Sequence, residues 1–247
     1  MNKQLIANMS WDEVATARKN NSVVIIPLGA AAKEHGWHLP LDNDYVMANY
    51  LRDRILKKIE HAIALPTINY HYYPNFLEYP GSTSLSLETS RELMCDICRS
   101  LAQQGFKKFY VLNTGFSTLK PLQAAKEELA KENIKMDYLN PSNFFDSPLI
   151  KHLQEQSLGS HADEIETSMM LYMAPQIVRM EKAVKDAHPK SPHPGPLTRN
   201  PNANKGIYSP TGAWGDPTLA TPEKGKIIVE AYVDYIANQI HNLILEK

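Results

Sequence analysis

No apolar run in this sequence approaches the roughly 20 residues a membrane-spanning helix requires. The N-terminal stretch MNKQLIANMSWDEV also lacks the apolar segment of roughly 7–15 residues found in a secretory leader. A cytoplasmic protein that makes no membrane contact is the expectation. There is no basic block either. The 26 Lys and Arg are scattered among 27 Asp and Glu, for a formal net charge of -1, so the footprint needed to hold a phosphate backbone is missing and nucleic acid is excluded as a partner. Cysteine is scarce. The two copies, Cys95 and Cys98, have the C-x-x-C spacing of a redox or metal pair, but Leu87, Leu93, Met94, Ile97 and Leu101 recur around them at helical spacing, so half-buried helix thiols are the simpler reading. Internal repeats and low-complexity tracts are absent.

What is present is an ordinary globular composition, 43% hydrophobic and 21% charged, in 247 residues, enough for one large domain spanning 1–247. Helix and strand patterns alternate. Ser10 and Glu13 form a capping box that opens a helix to about Lys19, and the β-branched run 22–28 reads as a strand covered on both faces. Helical spacing follows at 45–60, 87–104, 119–133 and 163–173, with further strands at 61–66, 107–113 and 135–139. Thr221 caps a terminal helix, with Glu223 and Lys224 in its first turn. Residues 187–222 carry eight of the 17 prolines, yet Tyr208 and Trp214 within them argue for an ordered excursion near the site rather than a flexible linker. The alternation predicts an α/β fold, a three-layer α/β/α arrangement around a mostly parallel sheet, with ligands bound beyond the carboxyl ends of the strands.

Three post-strand loops, 29–44, 67–86 and 114–118, are therefore the places to look. The first gathers His35, His38, Asp42 and Asp44. Imidazole with carboxylate is a ligand set for Zn, Mn or Fe, and a solvated polar loop with Asp and Asn as turn formers is the alternative. In GSHADEIETSMML (159–171), Ser160 and Asp163 have capping-box spacing, which makes His161 the first helical residue. The helix dipole there would lower its pKa and favour the neutral ring. Glu166 lies one turn past Asp163, so both acids share a face that points either into a site or to solvent.

PLGAAAKEHGWHLPLDND (27–44) resembles the signature loop of the creatininase family, G-S-x-E-Q-H-G-x-H-L-P-L-x-x-D. PGSTSLS (80–86), HADEIETSMML (161–171) and GDPTLATPEKG (215–225) resemble its later motifs, in family order. The resemblance implies that His35 and Asp44 are metal ligands, that His161 is the catalytic histidine and that Glu166 lies beside the metal. It implies a hydrolase that activates water against a cyclic amide or a related C–N bond, and a homo-oligomer, hexamers occurring in the family. Two positions depart from the pattern: the family's glutamate ligand falls at Lys33, followed by Glu34, and a further ligand histidine falls at Gly115. The expectation is one divalent ion (Zn, Mn or Fe) or none, held by His35, Asp44 and Glu166 with Asp163 as a fourth ligand, while a shifted solution turns Glu34 inward. Lys33 then sits where another metal would, beside Asp44. Lys33, Glu34 and His161 are the catalytic candidates, and could form a metal-free acid–base set if burial depresses the Lys33 pKa. Trp37, His38, Tyr72, Ser82 and Trp214 are the substrate-contacting candidates, with His71, Tyr73 and Phe76 adding to an aromatic wall that suits a flat ligand or an oligomer interface. The competing reading is an inactive relative that binds a small molecule or a protein.

Overall fold

In the computed structural model, which describes residues 4–20, 23–188 and 196–246, β1 (Val23–Leu28) lies at the centre with all six residues buried. Alternation along this strand divides the core. Val23 and Ile25 face one hydrophobic cluster, and Val24, Ile26 and Leu28 face the other. β1 pairs in parallel with β2 (Ala62–Ala64) and β3 (Lys108–Asn113), and β3 with β4 (Lys135–Tyr138), giving the order β2-β1-β3-β4. A strand buried on both faces needs no polar alternation, which is why β1 reads as an unbroken apolar run.

One face of the sheet is covered by α2 (Asn43–Leu56), α7 (Glu164–Met173) and α8 (Pro222–Leu245), the other by α3 (Leu87–Gln103) and α4 (Leu119–Lys131), with α1 (Trp11–Lys19) packing there through Val14 and Ala17. The expected α/β/α layering is what forms. Ser10 and Glu13 close the predicted capping box, and the Thr221 hydroxyl accepts from the Lys224 amide to start α8. Cys95 and Cys98 are buried in α3, and burial pushes the Cys98 thiol up to about 12, the state of an inert core thiol.

Some expectations change. The strand expected over 61–66 pairs only at Ala62–Ala64. Two short helices, α5 (Ser142–Phe145) and α6 (Pro148–Leu153), lie where no helix was expected, being too short to show a period. Within the proline-rich excursion, β5 (Leu197–Thr198) pairs in parallel with β6 (Ile207–Tyr208), and Leu197 packs against Tyr73, Phe76 and Tyr79; residues 189–195 of that excursion lie outside the described set. Among the described residues no helix is long and apolar enough to cross a membrane.

The register places Leu28 opposite Asn113, so the loops leaving β1 and β3 begin side by side. Gly29 is required at that point. A Cβ there would lie 2.2 Å from the Asp44 carbonyl oxygen, so glycine lets the first turn of α2 press against the end of the strand.

Candidate metal and catalytic site

The two sequence clusters converge beyond the carboxyl ends of β1 and β3. His35 comes from the β1 loop and is fully buried, Asp44 from the first turn of α2, and Glu166 from the first turn of α7. His35 Nε2 lies 2.9 Å from Asp44 Oδ1 and 3.6 Å from Glu166 Oε1. The other ring nitrogen settles the protonation pattern. His35 Nδ1 sits 2.9 Å from the Lys33 carbonyl oxygen, which can only accept, so Nδ1 carries a proton. Nε2 then faces two carboxylate oxygens. Such a convergence of acceptors is satisfied by a second ring proton or by a cation among them, and a histidine whose distal N–H is bound to a backbone carbonyl is the usual orientation of a metal ligand.

His161 faces the same space. Its Nε2 donates to the Glu34 carbonyl oxygen at 3.0 Å and approaches Glu34 Oε2 at 3.2 Å, which leaves Nδ1 directed towards Glu166 Oε2, 3.9 Å away. Ligand atoms of His35, His161 and Glu166 all lie within 4.8 Å of one another, a spacing that one metal ion can bridge. Asp44 falls outside that group although its Oδ1 lies 2.9 Å from His35 Nε2, so the donors present fit one divalent ion on His35 and Glu166, with Asp44 or His161 as the third ligand.

Glu166 is held by two donors: Asn43 Nδ2 at 2.9 Å to Oε1, and the Ala162 amide at 2.8 Å to Oε2. Ala162 has a φ of 46°, a left-handed conformation costly for alanine, which turns that amide back onto the carboxylate. Lys33 is buried. Its Nζ lies 2.5 Å from Asp44 Oδ2 and 4.9 Å from the Phe76 ring centroid. Burial works to raise the Asp44 pKa, but Lys33 and His35 win and hold it well below the usual carboxylate range.

Expectations for several residues are corrected. Asp163, not Ser160, is the N-cap of α7, accepting from the Ile165 and Glu166 amides. Gln156 Nε2 donates to its other oxygen at 2.5 Å, so although Asp163 reaches the cavity wall its lone pairs are committed to the fold and it stands apart from the ligand cluster. His161 therefore lies before the helix, pinned to Trp214 by backbone hydrogen bonds in both directions. Its pKa is raised, not lowered: burial opposes the charged ring, but the Glu34 carboxylate outweighs it. Glu34 does not turn into the ligand cluster; its side chain accepts from the Gly36 amide and backs His161.

Of the substrate-contacting candidates, Trp214 lines the cavity. Trp37 is 56% exposed and outside it. His38 is buried behind the site against Thr167 Oγ1 at 2.8 Å, and burial pulls its pKa down to about 4. Ser82 Oγ accepts from the Glu34 amide, a supporting contact. Tyr72 does not line the cavity; Phe76, four residues on, does, its ring centroid 4.7 Å from that of His161 with the planes tilted by 42°. The cavity, about 410 Å³, has Lys33, His161 and Glu166 at one end and Phe76, Phe116, Phe145 and Trp214 among its walls. Asn43 went unnoticed in the sequence because it looks like a spacer before Asp44; its role appears only when α2 meets α7.

Comparison with known proteins places the chain in a family. The family model described as Creatininase: Creatinine amidohydrolase matches residues 7–240. The creatinine amidohydrolase of Pseudomonas putida is 27% identical over 253 residues, covering 95% of both chains. The 3-dehydro-scyllo-inosose hydrolase of Thermotoga maritima is 26% identical, covering 96% of this chain and 82% of its own. A solved creatininase mutant of Zn-Zn type superposes with a TM-score of 0.80 at 25% identity, covering 98% of each chain.

Proposed function

We propose, since the chain belongs to the creatininase family, that it is a hydrolase that depends on one divalent metal ion, Zn, Mn or Fe, and cleaves a non-peptide C–N bond of a small cyclic or heteroaromatic amide or amidine. The observation that carries this reading is that buried His35 Nε2 has a carboxylate on each side, Asp44 Oδ1 at 2.9 Å and Glu166 Oε1 at 3.6 Å, both acids lining the cavity. These three residues would hold the ion. When bound, such an ion supplies Lewis acidity, polarising a carbonyl oxygen and acidifying water.

The remaining steps belong to the chain. His161, with Nε2–H anchored on Glu34, has Nδ1 free to take a proton and return it to the leaving nitrogen. Glu34 stabilises the imidazolium formed in between, since its carboxylate faces the ring at 3.2 Å. Lys33 has further N–H donors beyond the one directed at Asp44, and it lines the cavity, so it can hydrogen-bond a carbonyl oxygen as that oxygen gains charge. Phe76 and Trp214 form apolar walls suited to a flat ring. A homo-oligomer in the cytoplasm is part of the same reading.

The test pairs elemental analysis of purified protein with a hydrolase screen over cyclic amides and amidines, with and without chelator. Bound metal at about one per chain, with turnover that chelator abolishes and metal restores, is expected. A metal-free protein that stays inactive on reconstitution defeats the reading. It would favour the second one, a binding module built on the inherited cavity, for which the Lys33–Asp44 ion pair is the motivating observation. Its mark is a melting temperature that responds to a small-molecule ligand and not to metal or chelator.

A further inference from the structure

Asp44 is approached from two sides. Oδ1 faces His35 Nε2 at 2.9 Å, on the side of the ligand cluster, and Oδ2 faces the Lys33 ammonium at 2.5 Å. Lys33 is anchored as well as paired. Its amide donates to the Leu41 carbonyl oxygen at 3.1 Å, its carbonyl holds the His35 ring, and its ammonium rests over the Phe76 face. The lysine side chain and the metal-ligand histidine are thus fixed by the same residue, on opposite oxygens of one carboxylate.

The charges around the site can be counted. Asp44, Glu166 and Glu34 bring three carboxylates, and Lys33 one ammonium. One divalent ion neutralises that set. A second would leave excess positive charge among side chains that are at most 20% exposed, and charge is expensive where water screens it poorly.

We infer that Lys33 is a tethered cation that occupies the outer oxygen of Asp44, limiting the site to a single divalent ion and setting how tightly that ion is held. The inference rests on the metal-dependent reading above and deepens it. The ammonium and the ion share one carboxylate and repel each other, so removing the ammonium must tighten the ion's binding, and exchanging it for a carboxylate must create a second seat.

The experiment uses the full chain in wild-type, Lys33→Gln and Lys33→Glu forms, dialysed against zinc chloride, with zinc content read by elemental analysis, affinity by competition with a chromophoric chelator, and folding by circular dichroism. The expected results are one zinc in the wild type, one zinc bound on the order of tenfold more tightly in Lys33→Gln, and two in Lys33→Glu. Two zinc ions in the wild type, or an unchanged affinity in Lys33→Gln, overturn the inference while leaving the metal reading intact. If Lys33→Glu does not fold, Lys33→Gln decides alone. If it folds and binds only one zinc, the second seat is refuted. Zinc in Lys33→Gln but none in the wild type overturns the single-ion inference together with the metal-dependent hydrolase. No zinc in any form overturns both.

Discussion

Asn43 Nδ2 donates to Glu166 Oε1 at 2.9 Å, tying the first turn of α2 to the first turn of α7 across 123 residues of sequence. The bond leaves Glu166 oriented before anything binds, and it places two site carboxylates, Asp44 beside Asn43 and Glu166 opposite, at a fixed separation. Asn43 is completely buried, so its amide has no solvent to exchange for this contact.

Asn43→Ala should therefore weaken zinc binding by about 10–100-fold, the usual consequence of removing a partner that orients a metal ligand. Competition with a chromophoric chelator measures it. An unchanged affinity would show that Glu166 is oriented by the Ala162 amide alone.

Asp163 separates structure from metal chemistry. As the N-cap of α7 it accepts from two amides, and Gln156 donates to its other oxygen. Asp163→Ala should lower stability by about 0.5–2 kcal/mol, as for other N-caps, and leave the zinc content per folded chain unchanged. Denaturant unfolding followed by elemental analysis reads both; loss of zinc from the folded variant would restore Asp163 to the ligand set.

Two buried histidines give the fold a dependence on pH. Burial pulls both His38 and His71 down to about 4 from 6.5. Each is neutral in the fold but takes a proton readily once unfolded, so the unfolded chain binds more protons between those values and stability rises with pH there. The contribution is complete above pH 6.5 and declines by about 1.4 kcal/mol per unit for each histidine as the pH falls towards 4. Asp163, raised to about 6 by burial, and His161, raised by Glu34, act in the opposite sense, so the histidine contribution is read from the difference between wild-type and variant melting temperatures across this window. His71→Gln can keep the hydrogen bond to the Ser90 carbonyl oxygen that His71 Nε2 makes at 3.0 Å, and should flatten the profile; an identical slope would rule His71 out as a contributor.

Gly225, the last residue of the fourth family-like motif, is explained by packing. A Cβ at this position of α8 would lie 1.8 Å from the Ser168 carbonyl oxygen of α7. Backbone cannot yield as a side-chain tip can, so Gly225→Ala should force the two helices apart at a cost of about 1–3 kcal/mol, read as a lower urea midpoint. Because α7 carries Glu166, weaker zinc binding should accompany it.

Much of this protein was legible in its residues. The unbroken apolar run of β1, the Ser10 capping box and the Thr221 cap are local signals that depend on neighbours a few positions away, and each appears in the fold as read. Short α5 and α6 escaped because a helix of one turn or so shows no period. At the site, residue type pointed to the clusters around His35 and His161, because imidazoles and acids beyond buried strands are rare enough to stand out. It misread Asp163, whose spacing from Ser160 imitates a cap, and it named Tyr72 along with Phe76 where only Phe76 lines the cavity, because which side of a loop faces inward follows from what the loop packs against.

By itself, then, the sequence determined the alternation of elements and the parallel sheet, and pointed to the loops where imidazoles and acids gather, since these follow from periodicity and chemical type. Only the tertiary structure decided the surroundings of each group: His161 backed by Glu34 rather than by a helix dipole, Glu166 oriented by Asn43, and the Lys33 ammonium 2.5 Å from Asp44 Oδ2. The physical reason is distance. Electrostatic and hydrogen-bonding energies depend on separations of a few ångströms between groups far apart along the chain, such as Glu34 and His161, 127 residues apart, and folding alone sets those separations.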